Sequence, residues 1–182
     1  MARTGNHERY GGIAQALHWL TAILVLAAFI AAEGGPESRV YSPERDGQRI
    51  LHESLGLAVL ALVVIRIVWR LMDRAPDEAP MPRWMTLSAV VTHWLLYLLL
   101  FAVPLTAIFG AWLEGHALNT YVFAEIPSPF APSHDLGRSI TEVHEWLGDA
   151  ILWLAGLHAA AALFHHFLLR DRVLISMLPR WK

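Results

Sequence analysis

Residues 142–169 read EVHEWLGDAILWLAGLHAAAALFHHFLL, a run apolar enough to cross a bilayer as one helix. Three of its histidines, His144, His158 and His165, are 14 and 7 residues apart. At about 100° per residue, these spacings keep the three side chains within roughly 60° of one another on one face. Fourteen residues rise about 21 Å, so His144 and His158 are expected near opposite leaflets. Two stacked haem groups would require such a stripe of histidines at two depths.

Three more apolar runs precede this one, at about residues 13–32, 51–72 and 84–113. Each is long enough to span a membrane, and turn-forming glycines and prolines separate the runs. We therefore predict an all-α integral membrane protein, a four-helix bundle that holds the two haems. It forms a single domain over residues 1–182, with helices at about 13–32, 51–72, 84–113 and 142–169. The first run is too long for the apolar core of a signal peptide and is predicted to remain as a helix.

The composition supports a membrane protein whose chemistry depends on histidine. Hydrophobic residues make up 55% of the chain and charged residues 16%, against about 45–50% and about 25% in soluble domains. The net charge of -2 excludes a basic nucleic-acid binder. The chain has no cysteine, which excludes disulfides, thiolate metal sites and covalent c-type haem. Ten histidines remain for redox or metal chemistry.

Basic residues are unequally divided between the two ends of the predicted helices. Because the number of spans is even, both termini lie on one side of the membrane. That side carries nine basic residues: Arg3, Arg9, Arg70, Arg74, Arg83, Arg170, Arg172, Arg180 and Lys182. The other side carries four: Arg39, Arg45, Arg49 and Arg138. The positive-inside rule therefore predicts that both termini are cytoplasmic.

Two histidines near the outer ends of their helices share a sequence context. His52 and His144 are each followed four residues later by a glycine, Gly56 and Gly148. The glycine lies on the same face, one turn deeper, and has no Cβ to collide with a porphyrin plane. We therefore predict that His52 and His144 are the axial ligands of an outer haem.

The inner pair is less clearly marked, because depth alone allows several combinations. His18 and His158 are surrounded by alanines, whereas Leu96 and Tyr97 would crowd a macrocycle beside His93. This favours His18 with His158 as the ligands of an inner haem and a supporting role for His93. A pairing of His18 with His93 remains open at this point.

Two arginines lie near the depth of the inner pair. Arg66 falls 14 residues after His52 on a nearby face, where an unpaired charge would be costly. We predict that Arg66 contacts a haem propionate or a quinone head group and that Arg70, one turn later, assists. The alternative is that these side chains extend to the cytoplasmic interface, which suits Arg70 better than Arg66.

Taken together, these residues resemble the bacterial cytochrome b561 family of di-haem membrane proteins over essentially the whole chain. The matching motifs are Leu17-His18-Trp19-Leu20, His52, Val63-Val64-Ile65-Arg66, His93 with Tyr97, His144-Glu145, Gly156-Leu157-His158, His165-His166 and Met177-Leu178-Pro179. The resemblance implies non-covalent b-type haems with bis-histidine ligation, by His18 with His158 and by His52 with His144. It also implies a multi-pass protein of the bacterial inner membrane.

The resemblance extends to superoxide oxidases, which implies that superoxide is oxidised at the periplasmic side and ubiquinone is reduced near the cytoplasmic side. A quinone site is expected near His165, with Arg83 as an approximate substitute for a lysine common in similar proteins. The titratable imidazole of His165 suits proton delivery to quinone. Arg45, Arg49 and Arg138 are candidates for steering superoxide, although the outer side is net acidic.

Two other functions remain open. The chain could be the haem-carrying membrane anchor and electron conduit of a dehydrogenase or hydrogenase, with a redox partner protein docked on its periplasmic face. A histidine-lined metal transporter is disfavoured, because the midplane of each predicted helix is almost wholly apolar.

Overall fold

The computed structural model describes residues 9–32, 37–73, 76 and 81–179. Arg3, Arg74, Arg180 and Lys182, which enter the charge count, lie outside these described residues. The described elements are α1 (Gly12–Ala31), α2 (Glu37–Val40), α3 (Asp46–Met72), α4 (Arg83–Glu114), β1 (Leu118–Thr120), β2 (Ala124–Ile126), α5 (His134–Phe164), which continues into a π-helical turn (His165–Leu169), and α6 (Val173–Ser176).

Within the described residues, four helices are long and apolar enough to cross a membrane: α1, α3, α4, and α5 with its π-helical turn. Their outward faces carry large apolar side chains, such as Leu71, Trp94 and Trp153, which are 82%, 73% and 76% exposed. In water such a surface would be strongly unfavourable, whereas lipid accommodates it. The prediction of a mostly helical chain with four candidate spanning helices is confirmed.

The helix bounds differ from those predicted where polar residues extend a helix beyond its apolar run. Helix α3 begins at Asp46 rather than at residue 51, and α5 begins at His134 rather than at residue 142. Each has an aspartate in its first turn, Asp46 and Asp135, which interacts favourably with the positive end of the helix dipole. Hydropathy marks only the apolar part of such a helix.

A short β-hairpin departs from the all-α prediction. Strands β1 and β2 pair antiparallel, from Leu118 opposite Ile126 to Thr120 opposite Ala124. The hairpin is fastened to α3: the Asn119 backbone N–H donates to Glu53 Oε2 at 2.6 Å, and the Tyr121 N–H donates to Ser54 Oγ at 3.1 Å. The connection between α4 and α5 therefore folds back over the end of α3 that contains Glu53 and Ser54, the end predicted to be periplasmic.

Helix α1 packs against α3, α3 against α4, and α4 against α5. A small buried core of Val59, Val63, Leu100 and Ile151 joins α3, α4 and α5. The outer ends of α4 and α5 come very close together, since a Cβ at Gly137 would lie 2.6 Å from the Glu114 backbone nitrogen. Beside this contact, the Thr141 hydroxyl donates to Glu114 Oε1 at 2.9 Å.

Candidate functional site

His52 on α3 and His144 on α5 face each other across the bundle. Their ring centroids are 6.1 Å apart and their planes are inclined by 76°. An imidazole nitrogen binds a metal at about 2 Å, so two rings that share one metal have centroids about 6 Å apart once the ring radius is added. The structure therefore brings the two predicted outer ligands to the separation that a shared haem iron requires.

Hydrogen bonds to the backbone fix both rings. His52 Nδ1 lies 2.8 Å from the Ala28 carbonyl oxygen, and His144 Nδ1 lies 2.8 Å from that of Val103. A carbonyl oxygen only accepts, so each Nδ1 carries the proton and each Nε2 keeps the lone pair needed for a metal. The Ala28 carbonyl belongs to the last turn of α1, where helix carbonyls lack a regular partner.

A cavity of about 1140 Å³ surrounds this pair. Among its lining residues are Gly56 and Gly148, where an added Cβ would meet no protein atom within 4 Å. The two glycines lie one turn deeper than the histidines, on the same faces, as predicted. The cavity exceeds the about 300–1,000 Å³ of most small-molecule sites. The ring spacing, the fixed Nδ1 protons and the open space at both glycines fit a haem.

Three histidines, His18, His93 and His158, converge at the other end of the bundle, the end predicted to be cytoplasmic. The His158 ring centroid is 6.4 Å from that of His18 and 5.3 Å from that of His93. The separation of His158 from His18 is the nearer of the two to the about 6 Å of two imidazoles on one metal. His18 with His158 stays the predicted inner pair, and His93 is a close neighbour of His158.

Arg66 contacts the inner group, as we call His18, His93 and His158, through a direct hydrogen bond to His18. Its Nη2 lies 3.0 Å from His18 Nδ1, and its guanidinium carbon lies 5.4 Å from the centroid of the Tyr97 ring. Because a guanidinium only donates, His18 Nδ1 is an acceptor here, the reverse of the outer histidines. Arg70 lies one turn further along, with its guanidinium 5.7 Å from the Tyr10 ring centroid.

The three arginines predicted to steer superoxide all have polar partners. Arg49 bonds to Asp46 at 2.7 Å and to Glu53 at 3.0 Å. Arg138 pairs with Glu142 at 3.3 Å, and Arg45 Nη1 lies 3.4 Å from Gln48 Oε1. Arg49 and Arg138 line the cavity, but their carboxylate partners offset much of their positive field.

Arg49 also has contacts that its charge alone does not explain. Its guanidinium carbon lies 4.9 Å from the centroid of the Tyr41 ring, which stacks on His116 at 3.5 Å. Its Nε is buried and has no hydrogen-bond partner within the described part of the chain. Arg49 is therefore a packed part of the cavity wall as well as a charged group.

His165, predicted to lie at a quinone site, forms a pair that the sequence analysis missed. Its Nδ1 donates to Asp171 Oδ2 at 2.5 Å, and Asp171 Oδ1 accepts the Val173 backbone N–H at 3.0 Å. Partial burial opposes ionisation of this carboxyl, but the hydrogen bonds from His165 and Val173 outweigh it and hold the pKa of Asp171 below its usual value. Arg83 is exposed at the start of α4.

The C-terminal segment also closes against α1, near the inner histidines. Trp19 Nε1 donates to the Met177 carbonyl at 2.8 Å, and Gln15 Nε2 donates to the Ser176 carbonyl at 3.1 Å. Both donors lie within one turn of His18 on α1. Helix α6 is therefore fastened beside the inner group.

Comparison with known proteins agrees with the resemblance seen in the sequence. The profile of the family described as prokaryotic cytochrome b561 matches residues 9–180. The chain is 32% identical to the probable superoxide oxidase CybB of Yersinia pestis over 176 residues, covering 96% of this chain and 98% of the relative. It is 31% identical to cytochrome b561 homolog 2 of Escherichia coli K12 over 181 residues, 99% of this chain and 96% of the relative. Cytochrome b562 of Cereibacter sphaeroides is 33% identical over 171 residues, 90% of this chain and 92% of the relative.

Proposed function

This chain belongs to the prokaryotic cytochrome b561 family of bacterial inner-membrane haem proteins, and we propose that it oxidises superoxide at the periplasmic face and reduces ubiquinone near the cytoplasmic face. The facing pair of His52 and His144, with both Nδ1 protons held by backbone carbonyls, is the observation that carries the proposal. The similarity to a probable superoxide oxidase over almost the full chain supports the choice of substrate.

We assign one haem to His52 with His144 and a second to His18 with His158. Two b-type haems held there would supply one-electron transfer between the two faces. His52, His144, His18 and His158 would hold and orient these cofactors, and superoxide and ubiquinone would exchange electrons with them without becoming ligands of the iron.

The positive charge of Arg66 would lie beside the inner haem. In the structure, His18 Nδ1 accepts a hydrogen bond from Arg66. If His18 binds iron through Nε2, its Nδ1 must instead carry the proton. Arg66 would then release this nitrogen, and its donors become available to a propionate or to a quinone oxygen. Arg70 lies one turn closer to the cytoplasmic face, where it would assist.

The overall reaction must balance one-electron and two-electron chemistry. Two superoxide anions lose one electron each and become two molecules of oxygen. One ubiquinone gains those two electrons and two protons and becomes ubiquinol. On the inner side, the His165 imidazole is a group that can deliver a proton to the quinone.

On the outer side, the charges expected to act on superoxide are those of arginines close to the cavity, rather than the net charge of that side of the protein. Arg49 and Arg138 line the cavity around His144, and Arg45 precedes the first turn of α3. Their ion pairs limit long-range attraction, so we expect superoxide oxidation to depend only weakly on ionic strength. The orientation proposed here, with both termini cytoplasmic, rests on the nine-to-four division of basic residues.

The proposal is tested by stopped-flow measurement of superoxide consumption by the purified protein, with and without ubiquinone-1. We expect haem reduction by superoxide alone and sustained turnover only with the quinone. His165→Ala should retain both haem spectra and reduction by superoxide but slow quinone reduction at least about tenfold. Unchanged quinone turnover in His165→Ala would place the quinone site elsewhere. If superoxide does not reduce the haems, the electron-conduit function is favoured instead.

A further inference from the structure

Asp171 and His165 are joined twice, by a side-chain bond and by a backbone bond. His165 Nδ1 donates to Asp171 Oδ2, and the Asp171 backbone N–H donates to the His165 carbonyl at 3.2 Å. The two side chains are largely shielded, at 14% and 22% exposed. The pair is therefore fixed by the fold, unlike a chance contact between two long surface side chains.

An unusual backbone path brings the two residues together. The π-helical turn His165–Leu169 widens the end of α5, and Arg170 then adopts a left-handed conformation with φ of 53°. Residues other than glycine rarely adopt this conformation, and surrounding contacts must hold them there. Here the Asp171 N–H bond to His165 closes the turn, much as a Schellman motif closes a helix end.

Asp171 is also held from its other side. Its Oδ1 accepts the Val173 N–H at the start of α6, and α6 is in turn fastened to α1 through Trp19 and Gln15. A residue that only capped α6 would need one carboxylate oxygen. Asp171 uses its second oxygen for His165, which points to a role beyond capping.

We propose that Asp171 is a positioning residue for quinone reduction, which holds His165 with its proton on Nδ1 and stabilises the imidazolium form. This inference rests on the proposed function, since it assigns a role within the quinone site. The imidazolium donates its Nε2 proton to a quinone oxygen as the quinone gains electrons, and the neutral ring keeps its other proton on Nδ1, where it is donated to Asp171 Oδ2. A proton from the cytoplasmic solvent then restores the imidazolium.

Substitution by asparagine separates the two roles of Asp171. The amide oxygen of Asp171→Asn can still accept the Val173 N–H, so the start of α6 is preserved. The amide NH₂, facing His165, can only donate, so it moves the imidazole proton from Nδ1 to Nε2. Asp171→Glu keeps a carboxylate, and Asp73→Asn makes the same change at another carboxylate, at the C-cap of α3.

The experiment uses the full chain with its haems and follows two readouts. The first is the ¹⁵N NMR spectrum of histidine-labelled, reduced protein, in which the His165 signals are assigned by their absence from His165→Ala. The second is steady-state reduction of ubiquinone-1, resolved into kcat and KM. We expect Asp171→Asn to shift the His165 proton to Nε2 and to lower kcat at least about tenfold with KM little changed. Asp171→Glu should recover most of kcat, and Asp73→Asn should behave as wild type.

The outcomes separate this inference from the proposal on which it rests. If His165→Ala slows quinone reduction and Asp171→Asn does not, the positioning role of Asp171 is wrong and the quinone site stands. An unaltered His165 tautomer in Asp171→Asn also overturns the inference. If neither variant slows quinone reduction, both the quinone site at His165 and the role of Asp171 are wrong.

Discussion

The outer and inner histidine groups reach similar ring separations by different means. At the outer group, His52 and His144 each donate Nδ1–H to a backbone carbonyl. At the inner group, His18 accepts from the Arg66 side chain, and His93 lies as a third ring within 5.3 Å of His158. The outer tautomers are set by the fold, whereas the inner ones depend on a charged side chain that can rearrange.

The difference shows that histidines on one face of α5, His144 and His158, can lie in two unlike environments. The outer group has glycines one turn deeper on both helices, beside a cavity. The inner group has an arginine at hydrogen-bond distance instead. A positive charge beside a haem favours its reduced form, so in the proposed assignment the inner haem would have the higher potential, which would suit the proposed electron flow towards quinone.

The largest expected effect follows from removing an outer ligand. His52→Ala or His144→Ala should lower the haem content from two to one per chain, because the remaining imidazole cannot hold the iron from both sides. The inner haem should keep its spectrum. Pyridine haemochrome analysis measures the content, and His116→Ala serves as an outer-side control that should retain two haems. Loss of both haems in either variant would show that the sites depend on each other.

The next prediction concerns which inner histidine is the partner of His158. His18→Ala should lose the inner haem, whereas His93→Ala should retain it, since the 6.4 Å separation of His18 from His158 is nearer to the about 6 Å of two imidazoles on one iron than the 5.3 Å of His93. Haem content and the low-temperature absorption spectrum distinguish the two variants. The assignment is reversed if His93→Ala loses the inner haem and His18→Ala keeps it.

Two glycines on α5 provide a matched pair of smaller changes. Gly148→Ala should lower outer-haem occupancy without destabilising the helices, because its Cβ would meet no protein atom within 4 Å. Gly137→Ala should instead destabilise the fold by about 1–3 kcal/mol, since its Cβ would overlap the α4 backbone. Haem content and thermal unfolding of both variants test the contrast. Equal haem loss in the two variants would argue against a cofactor beside Gly148.

The smallest expected effect is the contribution of Asp171 to the stability of the fold, which depends on pH. Because the pKa of Asp171 is lowered by its hydrogen bonds, its ionised form stabilises the fold above about pH 4, the ordinary range of an aspartate. This contribution disappears as the pH falls through the lowered pKa. The difference in unfolding temperature between wild type and Asp171→Asn should therefore shrink as the pH falls from 7 to 3. A constant difference across this range would contradict the prediction.

Periodicity and hydropathy were sufficient to predict the spanning helices and the histidine faces. Both signals are local: a helix places residues 14 apart on nearly one face, whatever surrounds it. The same reasoning missed the start of α5 at His134 and the hairpin of Leu118–Thr120 with Ala124–Ile126. The hairpin strands are only three residues long, and their bonds to Glu53 and Ser54 come from a distant part of the chain.

The details of the sites depend on contacts that no spacing rule contains. The carbonyls of Ala28 and Val103 become partners of the outer histidines only when four helices have packed. Asp171 reaches His165 only because Arg170 turns the chain through a left-handed conformation that its residue type does not favour. The sequence therefore predicted which residue types meet at each depth, but not what orients them.

Helix α5 carries His144 and His158, one member of each proposed haem pair, and it is the last of the four spanning helices to be translated. A nascent chain that has inserted only α1, α3 and α4 presents His18 and His52 without the partners they need. Because domains begin to fold while the ribosome is still working, the proposed ligand pairs would delay capture of both haems until α5 has entered the membrane. On that assignment, haem incorporation would mark a chain whose four spanning helices are all in place.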